Sequence, residues 1–204
     1  MNQKPAPSPP QAALPEGESN RYLAKFKTSL GKRWSLTKSE TLYEIFDLAM
    51  FLWALERNEE ARAVATAVAT AIPVPPALPR GRVNYTLWCP ATYSHALAVH
   101  LGSRPQTAQA ATSRAALLAD AGLARDNPAF LVGRVTTAGQ QLAAPVDPKV
   151  MKWECRALAR SAGALLLFSE LAAAGDALFA PLESEAVALL PQLRSKLGDK
   201  LRSA

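Results

Sequence analysis

Ala and Leu together supply 69 of the 204 residues, while Val and Ile together supply twelve. Unbranched and γ-branched side chains keep their rotamer freedom in a helix, whereas β-branched ones favour a pleated surface. This ratio argues against an all-β chain and against a doubly wound α/β sheet. Hydrophobic residues are 49% of the sequence, enough to build a core and too many for a wholly disordered polymer. The expectation is an all-α fold.

Start and stop signals divide the chain. Met1–Gly17 holds five prolines and almost no large apolar residue, so residues 1–20 are expected to form a disordered, proline-rich arm. Residues 21–204 are then a single helical domain. From Arg21 to Lys38, the residues Leu23, Phe26, Leu30 and Trp34 fall on one helical face. Thr37 and Glu40 have the spacing of a capping box. Leu42, Ile45, Phe46, Ala49, Leu52 and Trp53 then make one face, and Leu48, Met50, Phe51 and Leu55 fill most of the rest. A helix apolar nearly all round belongs at the centre of a fold. Asn58, Glu59 and Glu60 open an Ala-rich helix that Pro73 stops.

Further along, a helix over Ala91–Leu101 ends at Gly102, and Arg104–Ala121 is its expected partner. Another runs from Asn127-Pro128 to about Ala143, a long one over Pro148–Ala174, and a last one over Ser184–Lys200. Seven or eight helices arranged as antiparallel hairpins are expected, in an irregular array or bundle.

The pair Leu42–Pro73 resembles a tetratricopeptide-type unit. Ile45, Leu48, Ala49 and Leu52 match that family's first-helix positions, and Ala61, Val68 and Pro73 match its second-helix positions. Ile45 stands where a Trp is usual and Ala65 where an aromatic is usual, and no second copy follows. The resemblance implies a close helix crossing at Ala49 and Ala61 and a TPR-like, partner-binding array.

The net charge of +6 is concentrated at one end. Residues 1–38 carry seven basic groups against Glu16 and Glu18, and the remainder is close to neutral. A nucleic-acid-binding domain carries a basic patch on its folded face, so no nucleic acid is expected for the core. Cys89 and Cys155 are far apart, unlike a disulfide framework. The N-terminus lacks a signal-peptide core, and no apolar run approaches the roughly 20 residues of a membrane span. These features give the expectation of a cytoplasmic protein, and Arg in excess of Lys with scarce Ile fits a GC-rich bacterial genome.

Chemistry-bearing motifs are few. His95 and His100 are five apart and cannot chelate one metal from one helix face. There is no HExxH, no CxxC, no GxGxxG, no P-loop and no nucleophile elbow. No catalytic, cofactor-binding or metal-binding residues are assigned. The segment Pro73–Pro90 is expected to be a long irregular connection. Long loops in compact domains are often functional, and this one carries Arg80, Arg82, Tyr85 and Trp88, residue types enriched at binding hot spots. Those four are the expected partner-binding set. Trp53 and Trp153 are expected in the core, with Trp34 and Trp88 as the better contact residues.

The functional expectation is a non-enzymatic protein-interaction module: an immunity protein or a dedicated chaperone or adaptor. Its partner would be another protein, such as a toxin or secreted effector. The alternatives are an enzyme with a site built from dispersed residues, and a binder of anionic membranes or nucleic acid through the basic segment 21–38.

Overall fold

The computed structural model of the chain describes residues 20–71, 85–102, 137–143, 151–173 and 180–203. Six helices carry the fold: α1 (Arg21–Gly31), α2 (Ser39–Ala54), α3 (Asn58–Ala71), α4 (Tyr85–His100), α5 (Met151–Ala173) and α6 (Ala180–Arg202). A further helical stretch covers 137–143. No strand occurs among the described residues, and the fold is all-α.

α2 is the centre. Leu42, Ile45, Phe46, Leu48, Ala49, Met50, Phe51, Leu52, Trp53 and Ala54 are all buried, and α2 touches each of the other five helices. An apolar surface that wraps a whole helix requires neighbours on every side, and α2 has them. Its start differs from the expected capping box. Lys38 occupies the N-cap without a side-chain bond, and the Thr37 hydroxyl pairs with Ser35 Oγ at 3.0 Å. Thr41 instead closes the turn, its hydroxyl donating to Ser35 O at 2.6 Å.

The α2–α3 hairpin turns at Glu56, which holds a left-handed φ of 63°. Glu56 N donates to Trp53 O at 3.1 Å and Arg57 N donates to Leu52 O at 2.9 Å. That pair of bonds is a Schellman closure, which satisfies carbonyls left open at the end of α2. Ala49 and Ala61 are both fully buried.

α1 docks its apolar face. Leu23, Phe26 and Leu30 are buried, as is Lys27, whose ammonium lies 3.7 Å from Glu60 of α3. Asn20, assigned to the arm from sequence, belongs to the fold: its Oδ1 accepts from Leu23 N at 2.8 Å and its amide donates to Leu201 O at 2.6 Å. One side chain thus caps the start of α1 and ties it to the end of α6.

α4 begins earlier than its sequence suggests. Residues 85–90, expected to be irregular, are helical, with Pro90 inside the helix. Proline removes one backbone bond and disfavours the helical region for the residue before it. Burial of Cys89 and Pro90 and packing of α4 against α2, α3 and α5 outweigh that local cost. The helix closes where expected, with Gly102 at φ 78°.

α5 and α6 form the second hairpin. Arg194 of α6 donates two hydrogen bonds to Trp53 O, at 3.0 and 3.1 Å, and its guanidinium lies 4.9 Å from the Trp53 ring centroid. Lys196 caps the carbonyls of Gln141 and Leu142 at 2.6 and 2.9 Å. Cations at helix C-termini offset both open carbonyls and the negative end of the dipole. α6 continues through Pro191. Arg80, Arg82, the connection 72–84 and the expected partner helix Arg104–Ala121 lie outside the described residues.

Candidate functional site

Charged side chains gather where α1 and the α1–α2 connection cover the junction of α2 with α5. Glu44 and Asp47 stand three apart on α2, and Arg156 and Arg160 stand four apart on α5, spacings that place each pair on one helix face. Asp47 is fully buried. Arg160 grips it with two hydrogen bonds, Nε to Oδ1 at 3.3 Å and Nη2 to Oδ2 at 3.1 Å. Arg156 donates to Glu44 Oε1 at 3.0 Å, and its Nε lies 3.8 Å from Asp47 Oδ2. Arg33 Nη2 reaches the other Glu44 oxygen at 2.9 Å. The Arg160 guanidinium also covers the Tyr43 ring, 4.5 Å from its centroid.

Burial pushes the Asp47 carboxyl up to about 6, against the opposing pull of Arg160 and then Arg156. A carboxylate removed from water is costly even with two guanidiniums beside it. At neutral pH Asp47 is ionised and clamps α2 to α5; below its pKa it takes a proton. Burial likewise raises Tyr22 to about 12 and Cys155 to about 11. Both stay protonated at neutral pH, and a thiol so held is a poor nucleophile. His100 packs edge-on against Trp53, with ring centroids 5.7 Å apart, and burial, followed by the nearby Arg194, lowers its pKa. Among the described residues, no group of three or more His, Cys, Asp or Glu converges as a metal-holding cluster. The cluster can bind and release a proton and can fix three helices relative to one another; it presents no activated nucleophile.

The surface above this cluster is where large apolar area meets water. Trp153 is 67% exposed, contrary to the expectation that it lies in the core. The reason is helical phase: Trp153, Arg156 and Arg160 share one face of α5, whereas Cys155, Leu158, Ala159 and Ala162 make the buried one. The Arg156 guanidinium lies over two rings, 5.5 Å from the Phe26 centroid and 5.9 Å from that of Trp153.

Of the four sequence-predicted contact residues, Tyr85 and Trp88 fall in the first turns of α4, with side chains outside the described set. Arg80 and Arg82 lie outside it altogether. Sequence reasoning missed Asp47 and the exposure of Trp153. Both had a signal: Asp47, set between Phe46 and Leu48 in the most apolar part of α2, demands a cation, and Arg156 and Arg160 four apart supply two in the phase of Trp153.

This chain matches no known protein family, no curated protein and no solved structure.

Proposed function

We propose that this protein is a non-enzymatic protein-interaction module, acting as an immunity protein or a dedicated chaperone or adaptor in the cytoplasm. The observation that carries this reading is Trp153. Tryptophan buries more apolar area than any other side chain and is enriched at binding hot spots. Here it stands in water while the other described large apolar side chains, Val187 apart, are buried or partly buried. The chemistry-bearing groups support the same reading by what they are used for. Asp47, Glu44, Arg156 and Arg160 bind one another, and Lys200 pairs with Glu154. The α2–α3 hairpin, with Ala49 and Ala61 both buried, is consistent with a TPR-like unit presenting a face to a partner.

A membrane-inserting role for α1 is disfavoured because Leu23, Phe26 and Leu30 are committed to the core. No described helix is long and apolar enough to cross a membrane.

The test is affinity capture from the source cells with crosslinking and mass spectrometry, using the whole chain. A saturable, stoichiometric protein partner whose capture weakens in Trp153→Ala is expected. Finding no saturable protein partner, or turnover of a small substrate by the purified chain, would overturn the proposal.

A further inference from the structure

Trp153 stands close to where the chain enters the fold. The Asn20 side-chain amide donates to Leu201 O at 2.6 Å, at the end of α6. Lys200, the residue before Leu201, pairs with Glu154 in the first turn of α5, next to Trp153. A second link runs through Arg156, whose guanidinium lies 5.5 Å from the Phe26 centroid and 5.9 Å from that of Trp153. Phe26 follows Asn20 by six residues, about 9 Å of helix. Two links through different side chains thus bring the start of α1 and the first turn of α5 to one end of the molecule. Trp153 is 67% exposed there. Residues 1–19, which lead into Asn20, contain Pro5, Pro7, Pro9, Pro10 and Pro15.

We infer that the chain's own proline-rich segment, Pro7–Pro15, docks in cis over the Trp153 ring. Pro7-Ser8-Pro9-Pro10 has the PxxP spacing, and such segments in the polyproline II form lie against exposed aromatic side chains. Proline fixes φ before docking, so little further entropy is lost. The length of the segment permits the contact. At about 3.1 Å per residue, the ten steps from Asn20 back to Pro10 reach about 31 Å, more than the helix to Phe26 and the Arg156 contact span together. The tether selects this occupant over a free proline-rich protein or the arm of a second copy, because it holds the segment at an effective concentration of about millimolar. The contact is local and governs access to Trp153 rather than global stability. On the reading of the chain as a protein-interaction module, on which this consequence rests, an outside partner has to displace the arm to reach Trp153.

The experiment is indole NMR of the full chain carrying 15N-labelled tryptophan, with the Trp153 signal assigned from Trp153→Phe. The variant Pro7→Gly/Pro9→Gly/Pro10→Gly, with unchanged circular dichroism, should move the Trp153 signal. It should leave in place that of Trp53, which is packed between His100 and Arg194. A labelled peptide of residues 1–19, read by fluorescence polarisation, should bind this variant saturably. It should bind the parent at least about threefold more weakly, because the parent's own arm competes. Adding Trp153→Ala to the glycine variant should weaken the peptide at least about tenfold. A Trp153 signal that stays in place, or equal peptide binding to all three proteins, would overturn the inference. A parent Trp153 signal that moves on dilution would assign the contact to a second copy's arm and overturn it as well. Partner capture from source cells separates this inference from the module reading. An unmoved Trp153 signal with a saturable partner removes the arm contact and keeps the module. A docked arm with no saturable partner keeps the contact and removes the module.

Discussion

Substituting alanine at two helical glycines should give opposite signs, and the difference can be worked from the packing. A Cβ on Gly163 would stand 2.4 Å from Phe46 Cζ and 3.1 Å from Tyr93 Cβ. Phe46 is fully buried at the centre of the core and Tyr93 is nearly so, their rings 5.7 Å apart. Neither can retreat without disturbing α2 or α4. With a contact of 2.4 Å against a buried ring, the overpacking falls in the upper part of the usual range, about 2–3 kcal/mol, against a helix-propensity gain of about 1 kcal/mol for Gly→Ala. Gly163→Ala should therefore destabilise by roughly 1–2 kcal/mol, lowering Tm by about 2–8 °C for a chain of this size. At Gly139, in the helical stretch 137–143, the same Cβ meets nothing within 4 Å. There the propensity term stands alone, and Gly139→Ala should stabilise by up to about 1 kcal/mol. Urea denaturation of both variants beside the parent protein provides the assay. A Gly163→Ala protein as stable as the parent would refute the close α5–α2–α4 packing.

Further expectations follow the same logic. Glu56→Gly should stabilise by about 1 kcal/mol, because glycine adopts the left-handed φ of the α2–α3 turn without a Cβ penalty; a loss of stability would deny the strain at that turn. Asp47 has a folded pKa of about 6 against an ordinary 3.8, so the folded state holds its proton more tightly and this residue's cost is greatest above pH 6. As pH falls from 7 to 4 the parent should gain about 2–3 kcal/mol relative to Asp47→Asn, measured as the difference between two denaturation series; parallel profiles would rule the raised pKa out. Trp153→Ala should change stability by less than about 0.5 kcal/mol, whereas Trp53→Ala should cost about 3–5 kcal/mol; equal losses would contradict the placement of the two rings.

The parts of this fold legible in sequence are those set by local signals. The near-continuous apolar surface of α2 announced a central helix, Glu59 and Glu60 marked the start of α3, and Gly102 closed α4 where its left-handed backbone requires it. The missed parts were decided by distant partners. Pro90 marks a break by every local rule, yet α4 runs through it because neighbouring helices bury that turn. Ser94 Oγ donates to Pro90 O at 2.6 Å, occupying one carbonyl within the disturbed segment. Thr37 had cap spacing, but Ser35 captured its hydroxyl first. The face of α5 that meets water was decipherable only by placing Trp153 in phase with Arg156 and Arg160. Composition alone makes tryptophan a core residue. The site was less legible than the fold, because its polar half, Asp47, finds its partners more than a hundred residues away.

The most direct test of the whole account is hydrogen–deuterium exchange of the full chain. A central α2 predicts that its amides exchange slowest in the free protein, through global unfolding only. Exchange in α2 as fast as in α1 or at the ends of α6 would contradict it.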